Sequence, residues 1–550
     1  MKRKLLWLTL SCLLSTSAQA DERASLEALR QTTINLIDVL VEQGVFTREK
    51  ANAMIKAAEA KATDTSKETA KAEAGRVRVQ YVPEIVKAEM REQIKQEVMA
   101  QARTERWAEP NAIPGWLDSI KWEGDVRVSY RLDNFGQDNA TPFNYASAAG
   151  TNAVRTPFDQ TRAVDFAKVN SQFEPIGNTT EDRERFRVRA RIGLLAKITD
   201  EWSAGVRLVT GNTTDRVSTN QTLGQDWNKY TVVMDRAFIK YDPTDWFSVT
   251  AGRIPNPWWF PTDLIWDDDL SFEGVAATFK PSFANNTIKP FLSVGAFPIK
   301  EENPPTNRSR SMYGIQGGTQ WDYSPKTRFK VGLAWFNFKN LEGQVESDNS
   351  VFLGTPFAAN YGQYEYGSSL RQKGNSLFVT NALADTASTT YWGLSSRFRP
   401  VNLNAMVDLA HLDPVHVMLT GDWVRNTAFD RGEILARTQG RVNVTDGSNT
   451  GYQYRLAVGM PRVEKARDWQ VYMGYRYLGS DAVLDAFTDS DFGGGGTNLK
   501  GYFLGLQYGF DRNVIFGLRW YSADSIDSFS LNPAQRFAQD ILQADVNVRF

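Results

Sequence analysis

The sequence predicts an all-β transmembrane barrel of about 16 antiparallel strands, preceded by an N-terminal α-helical or coiled-coil segment in the periplasm. Three observations lead to this prediction: a C-terminal strand with two chemically different faces, an N-terminal export signal, and a period-two alternation of apolar and polar residues from residue 120 onward. An outer-membrane barrel needs this alternation, because each strand shows one face to lipid and the other to a watery lumen.

The C-terminal strand alternates almost without a break. Its apolar face, which we expect to contact outer-membrane lipid, comprises Leu542, Ala544, Val546, Val548 and Phe550. Gln543, Asp545, Asn547 and Arg549 alternate with them and form the polar face. The terminal aromatic resembles the signal by which outer-membrane proteins are recognised for insertion. We therefore predict that Phe550 is an insertion signal for the barrel-assembly machinery.

The N-terminus is typical of a secretory signal peptide over residues 1–20. Residues 2–4 are positively charged, residues 5–14 are apolar, and residues 18–20 form a small-residue cleavage site. The apolar run is too short to span a bilayer. The single cysteine, Cys12, lies inside this segment, and acylation of Cys12 in a lipoprotein is the less favoured alternative. A mature chain without cysteine cannot depend on disulfides.

Composition narrows the class of protein further. After the signal, no stretch approaches eighteen apolar residues, which argues against helical membrane spans. Aromatic residues make up 12% of the chain, yet its mean hydropathy is -0.42. Alternating strands give this combination, because each lipid-facing residue is averaged with a polar neighbour. The formal net charge of -1 is too small to indicate a nucleic-acid partner.

We divide the chain into a signal peptide (1–20), a periplasmic helical or coiled-coil segment (21–117) and an outer-membrane β-barrel (118–550). The second part has leucines at helical spacing, as at Leu36 and Leu40, and is otherwise polar. One interpretation is a solvated spacer. The other is a segment that associates with copies of itself or with the cell wall, and the sequence leaves both open.

Sixteen strands are predicted in the barrel, an even number that keeps both chain ends in the periplasm. Residues 391–399 also resemble a strand, and we interpret them as an outward extension of strand ten, kinked at Pro400. The predicted strands cover about residues 120–132, 184–198, 202–212, 232–241, 246–255, 271–281, 288–297, 310–322, 328–339, 402–410, 414–425, 451–460, 468–478, 499–509, 513–521 and 538–550.

Arginines alternate with apolar residues along the second strand, from Arg183 to Arg191. A charge near the bilayer midplane costs about 2–4 kcal/mol in a barrel, so this face must look into an aqueous channel. By the same argument, we expect Arg455, Arg476 and Arg519 to point inward. We call the predicted pore-lining set the basic rail; it consists of Arg127, Arg131, Arg185, Arg187, Arg189, Arg191 and Arg207. Pairing with acidic loops, which would fix those loops, is an alternative role, and both can hold together.

An acidic loop follows strand five and supplies the candidate constriction residues Asp263, Asp267, Asp268 and Asp269. If this loop folds inward, its carboxylates would face the basic rail, and a narrow passage with opposed charges filters solutes by size and charge. An exposed acidic loop is the plainer alternative. A calcium site is weaker, because adjacent side chains diverge. The two longest outer loops, about 133–183 and 340–390, could equally plug or cover the mouth.

Aromatic residues are expected in two bands where strands meet the membrane interfaces. The periplasmic band would contain Trp202, Trp246, Phe247, Trp321, Tyr323 and Trp469. The outer band would contain Trp335, Trp392, Trp423, Tyr475, Tyr477, Trp520 and Tyr521.

Enzymatic interpretations have little support, and we predict no catalytic residues, no cofactor and no metal site. Both histidines, His411 and His416, lie near one predicted periplasmic turn. Together with Asp413 they offer three metal ligands, but no fourth is evident, and polar turn residues are the favoured explanation. The glycine run at 493–496 is interpreted as the tip of an outer loop rather than a phosphate-binding motif.

The chain as a whole resembles a family known as putative porins of Gram-negative bacteria. The resemblance rests on the signal, the helix with Leu36–Leu40 and Gly44-Val45-Phe46-Thr47, Glu123-Gly124-Asp125-Val126-Arg127 at the start of the barrel, the arginine-alternating second strand, Gly252-Arg253-Ile254-Pro255-Asn256-Pro257 and the terminal Phe550. It implies passive diffusion of small hydrophilic solutes through an outer-membrane pore formed by an oligomer, for which we consider a homotrimer.

Two functional hypotheses follow. The first is a diffusion porin whose inward arginines favour anionic solutes. The second is a structural outer-membrane anchor with a plugged barrel and a periplasmic tethering helix.

Overall fold

The computed structural model describes residues 119–139, 160–161, 178–283, 286–302, 308–346, 351–352, 355–356, 362–367, 370–382, 391–441, 444, 447–527 and 537–550. Within these ranges, sixteen long strands form one closed antiparallel barrel, which confirms the predicted architecture and strand number. The predicted signal peptide (1–20) and helical segment (21–117) lie outside the described residues and stay predictions.

Each barrel strand pairs with its neighbours in chain order. The strands are β1 (Ile120–Phe135), β2 (Arg183–Lys197), β3 (Trp202–Thr210), β4 (Val232–Thr244), β5 (Phe247–Pro255), β6 (Ser271–Phe279), β7 (Ile288–Lys300), β8 (Arg310–Ser324), β9 (Thr327–Lys339), β10 (Pro400–Leu412), β11 (Val415–Asn426), β12 (Thr450–Gly459), β13 (Trp469–Leu478), β14 (Leu499–Asp511), β15 (Val514–Ser525) and β16 (Ala538–Arg549).

The connections contain a short helix α1 (Arg431–Arg437), which begins after Asp430, whose side chain accepts a hydrogen bond from the Glu433 amide at 2.9 Å. They also contain 3₁₀ turns at Asp485–Phe487 and Phe492–Gly494 and short strands at Gln160–Thr161, Gln221–Thr222, Val351–Phe352, Thr355–Pro356, Leu377–Val379 and Trp392–Leu394. Among the described helices, none is long and apolar enough to cross a membrane.

Hydrogen bonds between the first and last strands close the barrel. β16 pairs with β1 over a register that runs from Asp125 opposite Arg549 to Phe135 opposite Gln539. Beyond Arg549, the backbone groups of Phe550 and Gly124 bond to each other at 2.9 and 3.0 Å. Closure is the physical requirement for a sheet in lipid, because a free strand edge would leave backbone groups without partners.

The alternation along the strands has the predicted orientation. In β16, Val546 and Val548 are 40% and 42% exposed, whereas Gln543 and Asp545 are buried inside the barrel. Short turns join the strands at one end, as at 325–326, and this end is periplasmic in outer-membrane barrels. Long loops occupy the other end.

A hydrophobic core lies inside the barrel towards the end with the long loops. It packs inward-facing strand residues against residues of four loops that enter the barrel mouth. Its fully or almost fully buried members include Trp258, Leu264, Trp266, Phe336, Tyr366, Leu394, Val424 and Leu484. The described part of the long loop after β9 therefore covers the mouth, which is one of the roles that its length suggested.

Residues 391–399 differ from the prediction. Trp392–Leu394 leaves the barrel wall and pairs with Leu377–Val379 in a small separate sheet. The interpretation of this strand as an extension of strand ten is therefore wrong, although a bond from the Phe338 amide to the Phe398 carbonyl (3.1 Å) prolongs the wall slightly beyond Pro400. This short strand cannot be part of the barrel wall, because all three of its residues are buried and no face is left for lipid.

Many of the predicted interface aromatics do face outward. Trp246 and Tyr323 are 50% and 63% exposed near the short turns, and Trp520 is 39% exposed towards the opposite end. Trp392 and Tyr521 are exceptions. Trp392 lies in the loop core, and Tyr521 points into the barrel because it follows the outward-facing Trp520 in an alternating strand.

Candidate pore constriction

The connection between β5 and β6, residues 256–270, folds into the barrel, and we call it the constriction loop. Its first turn is fixed by Asn256, whose Oδ1 accepts a hydrogen bond from the Trp258 amide at 3.0 Å. Gln316 on β8 then holds the Trp259 backbone on both sides, accepting from its amide at 2.6 Å and donating to its carbonyl at 2.7 Å. The alternative of an exposed acidic loop is thereby excluded.

Apolar side chains anchor the middle of the constriction loop. Leu264, Ile265 and Trp266 are at most 3% exposed. The Trp266 ring meets the rings of Phe272 and Phe336 edge-to-face, at 5.0 and 5.2 Å between centroids. This burial offsets the cost of placing a polar loop inside the barrel and turns the neighbouring carboxylates towards the remaining space.

Asp269 reaches the basic rail at the end of the constriction loop. Its carboxylate lies 2.7 Å from Arg191 and 3.5 Å from Arg189, both on β2. Asp125 on β1 pairs with the same two arginines at 2.6 and 2.8 Å. Thr219 donates a further hydrogen bond to Asp269 at 3.0 Å. The loop and the wall are thus joined by a four-membered network of opposite charges.

Asp263 contacts a different part of the wall. It pairs with Arg476 on β13 and accepts a hydrogen bond from Gln453 on β12 at 3.0 Å. Arg476 also pairs with Asp489, which belongs to the loop 479–498, at 3.0 Å. One arginine therefore holds two loops.

Asp267 and Asp268 diverge, as adjacent side chains must. Asp267 turns towards the loop 479–498, where it accepts a hydrogen bond from the Ser490 amide at 3.0 Å. Asp268 lines a cavity with Asp263 and Asp269 and has no ion pair within 4.0 Å among the described residues. The three adjacent aspartates thus point in different directions and do not converge on one point.

The loop 479–498 is a second inward loop that the sequence reasoning missed. Its Asp491 lies 2.8 Å from Arg131, 3.6 Å from Arg187 and 3.8 Å from Arg519. The interpretation of residues 493–496 as an outer tip is wrong for most of the run, because Gly493, Gly495 and Gly496 are buried. Its aspartates at 485, 489 and 491 were an available signal, since an acidic loop complements an arginine-lined wall.

The basic rail divides into two groups in the structure. Arg127, Arg189 and Arg191 line the cavity beside the constriction loop. Of these three, Arg189 and Arg191 are also paired, with Asp125 and Asp269. The other four pair with carboxylates away from this cavity: Arg131 with Asp133 and Asp491, Arg185 with Asp133, Arg187 with Asp491, and Arg207 with Asp235. Ion pairing and lining of the interior therefore coexist along this wall.

The cavity beside the constriction loop has a volume of about 440 Å³. Among the described residues, its charged lining consists of seven arginines and four aspartates: Arg127, Arg189, Arg191, Arg455, Arg476, Arg519, Arg549, Asp263, Asp268, Asp269 and Asp545. Positive charge is thus in excess. Tyr472, Phe503 and Phe260 supply apolar surface.

Neighbouring charges shift the pKa values of the loop carboxylates in opposite directions. Burial alone would raise the pKa of Asp269, but Arg189 and Arg191 lower it below the ordinary value. Arg476 does the same for the pKa of Asp263 against a similar effect of burial. The enclosed position of Asp268 inside the barrel and the charges of Asp263 and Asp269 raise its pKa to about 6, although its side chain is exposed to the cavity. Burial, Asp269 and Asp489 also raise the pKa of Asp267.

The two histidines lie away from the constriction loop. His416 Nδ1 is 2.6 Å from Asp408, and His411 Nε2 is 3.1 Å from the Thr327 hydroxyl. Among the described residues, no group of three or more metal-ligating side chains comes together.

The chain is also similar to several solved structures at low sequence identity. OprB of Pseudomonas putida is 13% identical, with 79% of this chain and 96% of that chain covered and a TM-score of 0.42. The outer membrane channel DcaP of Acinetobacter baumannii is 9% identical (78% and 97% covered, TM-score 0.36), and OmpF of Salmonella typhi is 10% identical (79% and 99% covered, TM-score 0.38).

No curated protein sequence matches this chain. A family model described as "Putative porin" matches residues 30–550. The match includes the sixteen strands, the constriction loop and the terminal Phe550. The chain therefore belongs to the putative porin family of the Gram-negative outer membrane.

Proposed function

We propose that the protein is a diffusion porin through which small hydrophilic solutes cross the outer membrane. The observation that carries this proposal is the charged cavity between the constriction loop and the arginines of β1, β2, β12, β13, β15 and β16. A packed, purely structural barrel would have no reason to leave about 440 Å³ open between opposed charges. The basic rail and the four loop aspartates are the residues that we assign to the constriction.

We further propose that the pore prefers anions. Three arginines of the described lining, Arg127, Arg455 and Arg549, have no carboxylate within 4.0 Å among the described residues, against one unpaired aspartate, Asp268, and such an excess of one sign raises the local concentration of the opposite ion. Four members of the basic rail stabilise loops and wall instead of facing the solute, and their contribution to the field is largely cancelled by their carboxylate partners.

The test is a planar-bilayer recording with the purified full-length protein. Large, steady current steps are expected, and a reversal potential in a KCl gradient should report anion preference. Absence of current from a barrel shown to be folded by its resistance to unfolding in cold detergent would overturn the porin proposal. A cation preference would overturn the selectivity proposal and leave the pore standing.

A structural anchor is the second candidate, and the burial of the mouth loops favours it. Tyr366, Phe378 and Leu394 are completely buried in the packing of the loop after β9. If the barrel proves silent, this packing is the plug. We also propose that Phe550 is a signal for the assembly machinery, which assembly of a Phe550→Ser variant would test. A homotrimer as the working unit is a further proposal, which cross-linking in detergent would test.

A further inference from the structure

A second cavity lies inside the barrel on the other side of the constriction loop. It has a volume of about 710 Å³ and is bounded by β4–β9 and by Trp258 and Trp259 of the loop. Lys330 is only three residues beyond the start of β9, and Lys280 lies in the turn after β6. The cavity therefore opens towards the end of the barrel with the short turns.

The charge of this cavity has one sign. Its lining contains four lysines and no aspartate or glutamate among the described residues: Lys240, Lys280, Lys289 and Lys330. Lys240 pairs with Asp242 at 2.8 Å and Lys289 with Asp322 at 2.9 Å. Lys280 and Lys330 have no carboxylate within 4.0 Å in the described part of the chain. Two ammonium groups in one concave site thus lack a counter-charge from the protein.

Lys330 is held in place by aromatic rings. Its Nζ lies 4.4 Å from the centroid of the Trp259 ring and 5.2 Å from that of Phe291, both within the range of a cation–π interaction. The two rings meet edge-to-face at 6.0 Å. These contacts fix the ammonium without supplying it a hydrogen-bond acceptor.

Glycines in the wall make room for these rings. A Cβ at Gly332 would lie 3.0 Å from the Trp259 ring, and a Cβ at Gly318 would lie 2.4 Å from the Phe291 ring. Trp258 occupies the corresponding space over Gly314, where a Cβ would approach its ring to 2.6 Å. The aromatic surface beside Lys330 therefore depends on three glycines in the barrel wall, which leave room for the rings.

The rest of the lining consists mainly of donors and hydroxyl groups. The buried side-chain nitrogens of Asn256 and Trp258 have no acceptor among the described residues. Thr250 and Thr278 add hydroxyl groups. At its outer end the cavity closes on Ile254 and Trp258, which are 1% and 4% exposed. The site is thus a pocket and not a second open passage.

We propose that this pocket, which we call the lysine pocket, binds a small solute that carries a carboxylate or phosphate group, with Lys330 and Lys280 as the anion ligands. Charge-assisted hydrogen bonds from ammonium groups to such oxygens are among the strong ones in proteins. The inference rests on the proposed function, since it places a binding site for anionic solutes beside the path that they would take.

The experiment is isothermal titration calorimetry on the full chain in detergent, with inorganic phosphate and tricarballylate in separate titrations and sucrose as the neutral probe. The wild type should bind at least one of the two anions and not sucrose, and the anion that binds identifies the group recognised. Lys330→Met should weaken that binding roughly tenfold, as expected for the loss of one charge-assisted hydrogen bond.

Two matched variants keep the test specific. Lys339→Met changes the same residue type on the same strand, where its Nζ lies 5.0 Å from the Tyr313 ring and outside the pocket, and it should bind as the wild type does. Arg455→Gln removes a cation from the other cavity and should also leave the affinity unchanged.

Three outcomes would overturn the lysine pocket: no binding of either anion to the folded wild type, equal binding by Lys330→Met, or loss of binding in Arg455→Gln, which would place the anion at the constriction. Equilibrium binding needs no ion current. A silent barrel that binds the anion would therefore refute the porin proposal alone, and a conducting barrel that binds none would refute the pocket alone.

Discussion

Arg455 on β12 offers a direct test of how charge acts in the proposed pore. Its guanidinium lies 4.3 Å from the centroid of the Tyr472 ring and donates a hydrogen bond to Gln470 at 3.1 Å. No carboxylate lies within 4.0 Å of it among the described residues. Arg455→Gln therefore removes one positive charge from the cavity lining without leaving a buried carboxylate unpaired, the usual cause of damage when half of an ion pair is deleted.

The size of the effect follows from Coulomb's law. An ion that passes about 6 Å from the guanidinium in water interacts with it by about 0.7 kcal/mol, which screening at 0.1 M salt reduces to about 0.4 kcal/mol. The term stabilises an anion and destabilises a cation equally. The ratio of anion to cation permeability should therefore fall by roughly three- to fourfold, since about 1.4 kcal/mol corresponds to a factor of ten.

Reversal potentials in a KCl gradient measure this ratio. Arg462→Gln is the matched control, because it removes the same charge from a periplasmic turn where the side chain is 84% exposed, and it should leave the reversal potential unchanged. An Arg455→Gln pore with wild-type selectivity, or with a stronger anion preference, would refute the assignment of this wall as the source of the field.

Three further predictions concern the loops and the seam of the barrel. Arg476→Met should increase current fluctuations in recordings, because it releases carboxylates of both inward loops; quiet recordings would contradict this role. Lowering the pH from 8 to 5 should increase anion preference, because its enclosed position and the nearby carboxylates raise the pKa of Asp268 to about 6, and burial raises that of Asp489 to about 7, so protonation removes negative charge; a pH-independent reversal potential in this range would count against it. Gly124→Val should destabilise the barrel by about 1–3 kcal/mol, since a Cβ there lies 2.5 Å from the Phe550 ring; an unchanged unfolding temperature on semi-native gels would argue otherwise.

The strands could be predicted from the sequence because their signal is local. Period-two alternation fixes which face of a strand meets lipid, and pairing with the next strand in the chain fixes its neighbour. The strand number and the inward direction of the arginines follow from these two rules and the cost of charge in lipid, whereas the inward fold of the acidic loop was one of the alternatives that the sequence left open. The constriction loop could be identified as a candidate from the sequence, because its four aspartates complement an arginine-rich strand.

Contacts between distant loops could not be predicted in this way. The bond from Arg131 to Asp491 joins residues 360 positions apart, and no periodicity links them. The short strand Trp392–Leu394 was also misassigned, because its partner, Leu377–Val379, lies earlier in the same long loop and not in a neighbouring barrel strand. The lysine pocket could not be predicted either, since Lys280 and Lys330 come from different hairpins, and the aromatic ring against Lys330 is supplied by Trp259 of the constriction loop.

The division between paired and unpaired cations explains how one wall can serve stability and selectivity together. Arg131 is an example of a paired arginine, since it lies 2.8 Å from Asp133 and from Asp491 and so holds a loop. A few ångströms away from these ion pairs, the carboxylates nearly cancel its positive charge. Arg455 and Lys330 have no carboxylate partner among the described residues, so their fields extend into the cavities that they line. The acidic loop lies between these two cations, and two of its four carboxylates, Asp263 and Asp269, are paired with wall arginines. Selectivity in the proposed pore should therefore depend on the few unpaired cations. The position of the loops should depend on the many paired ones.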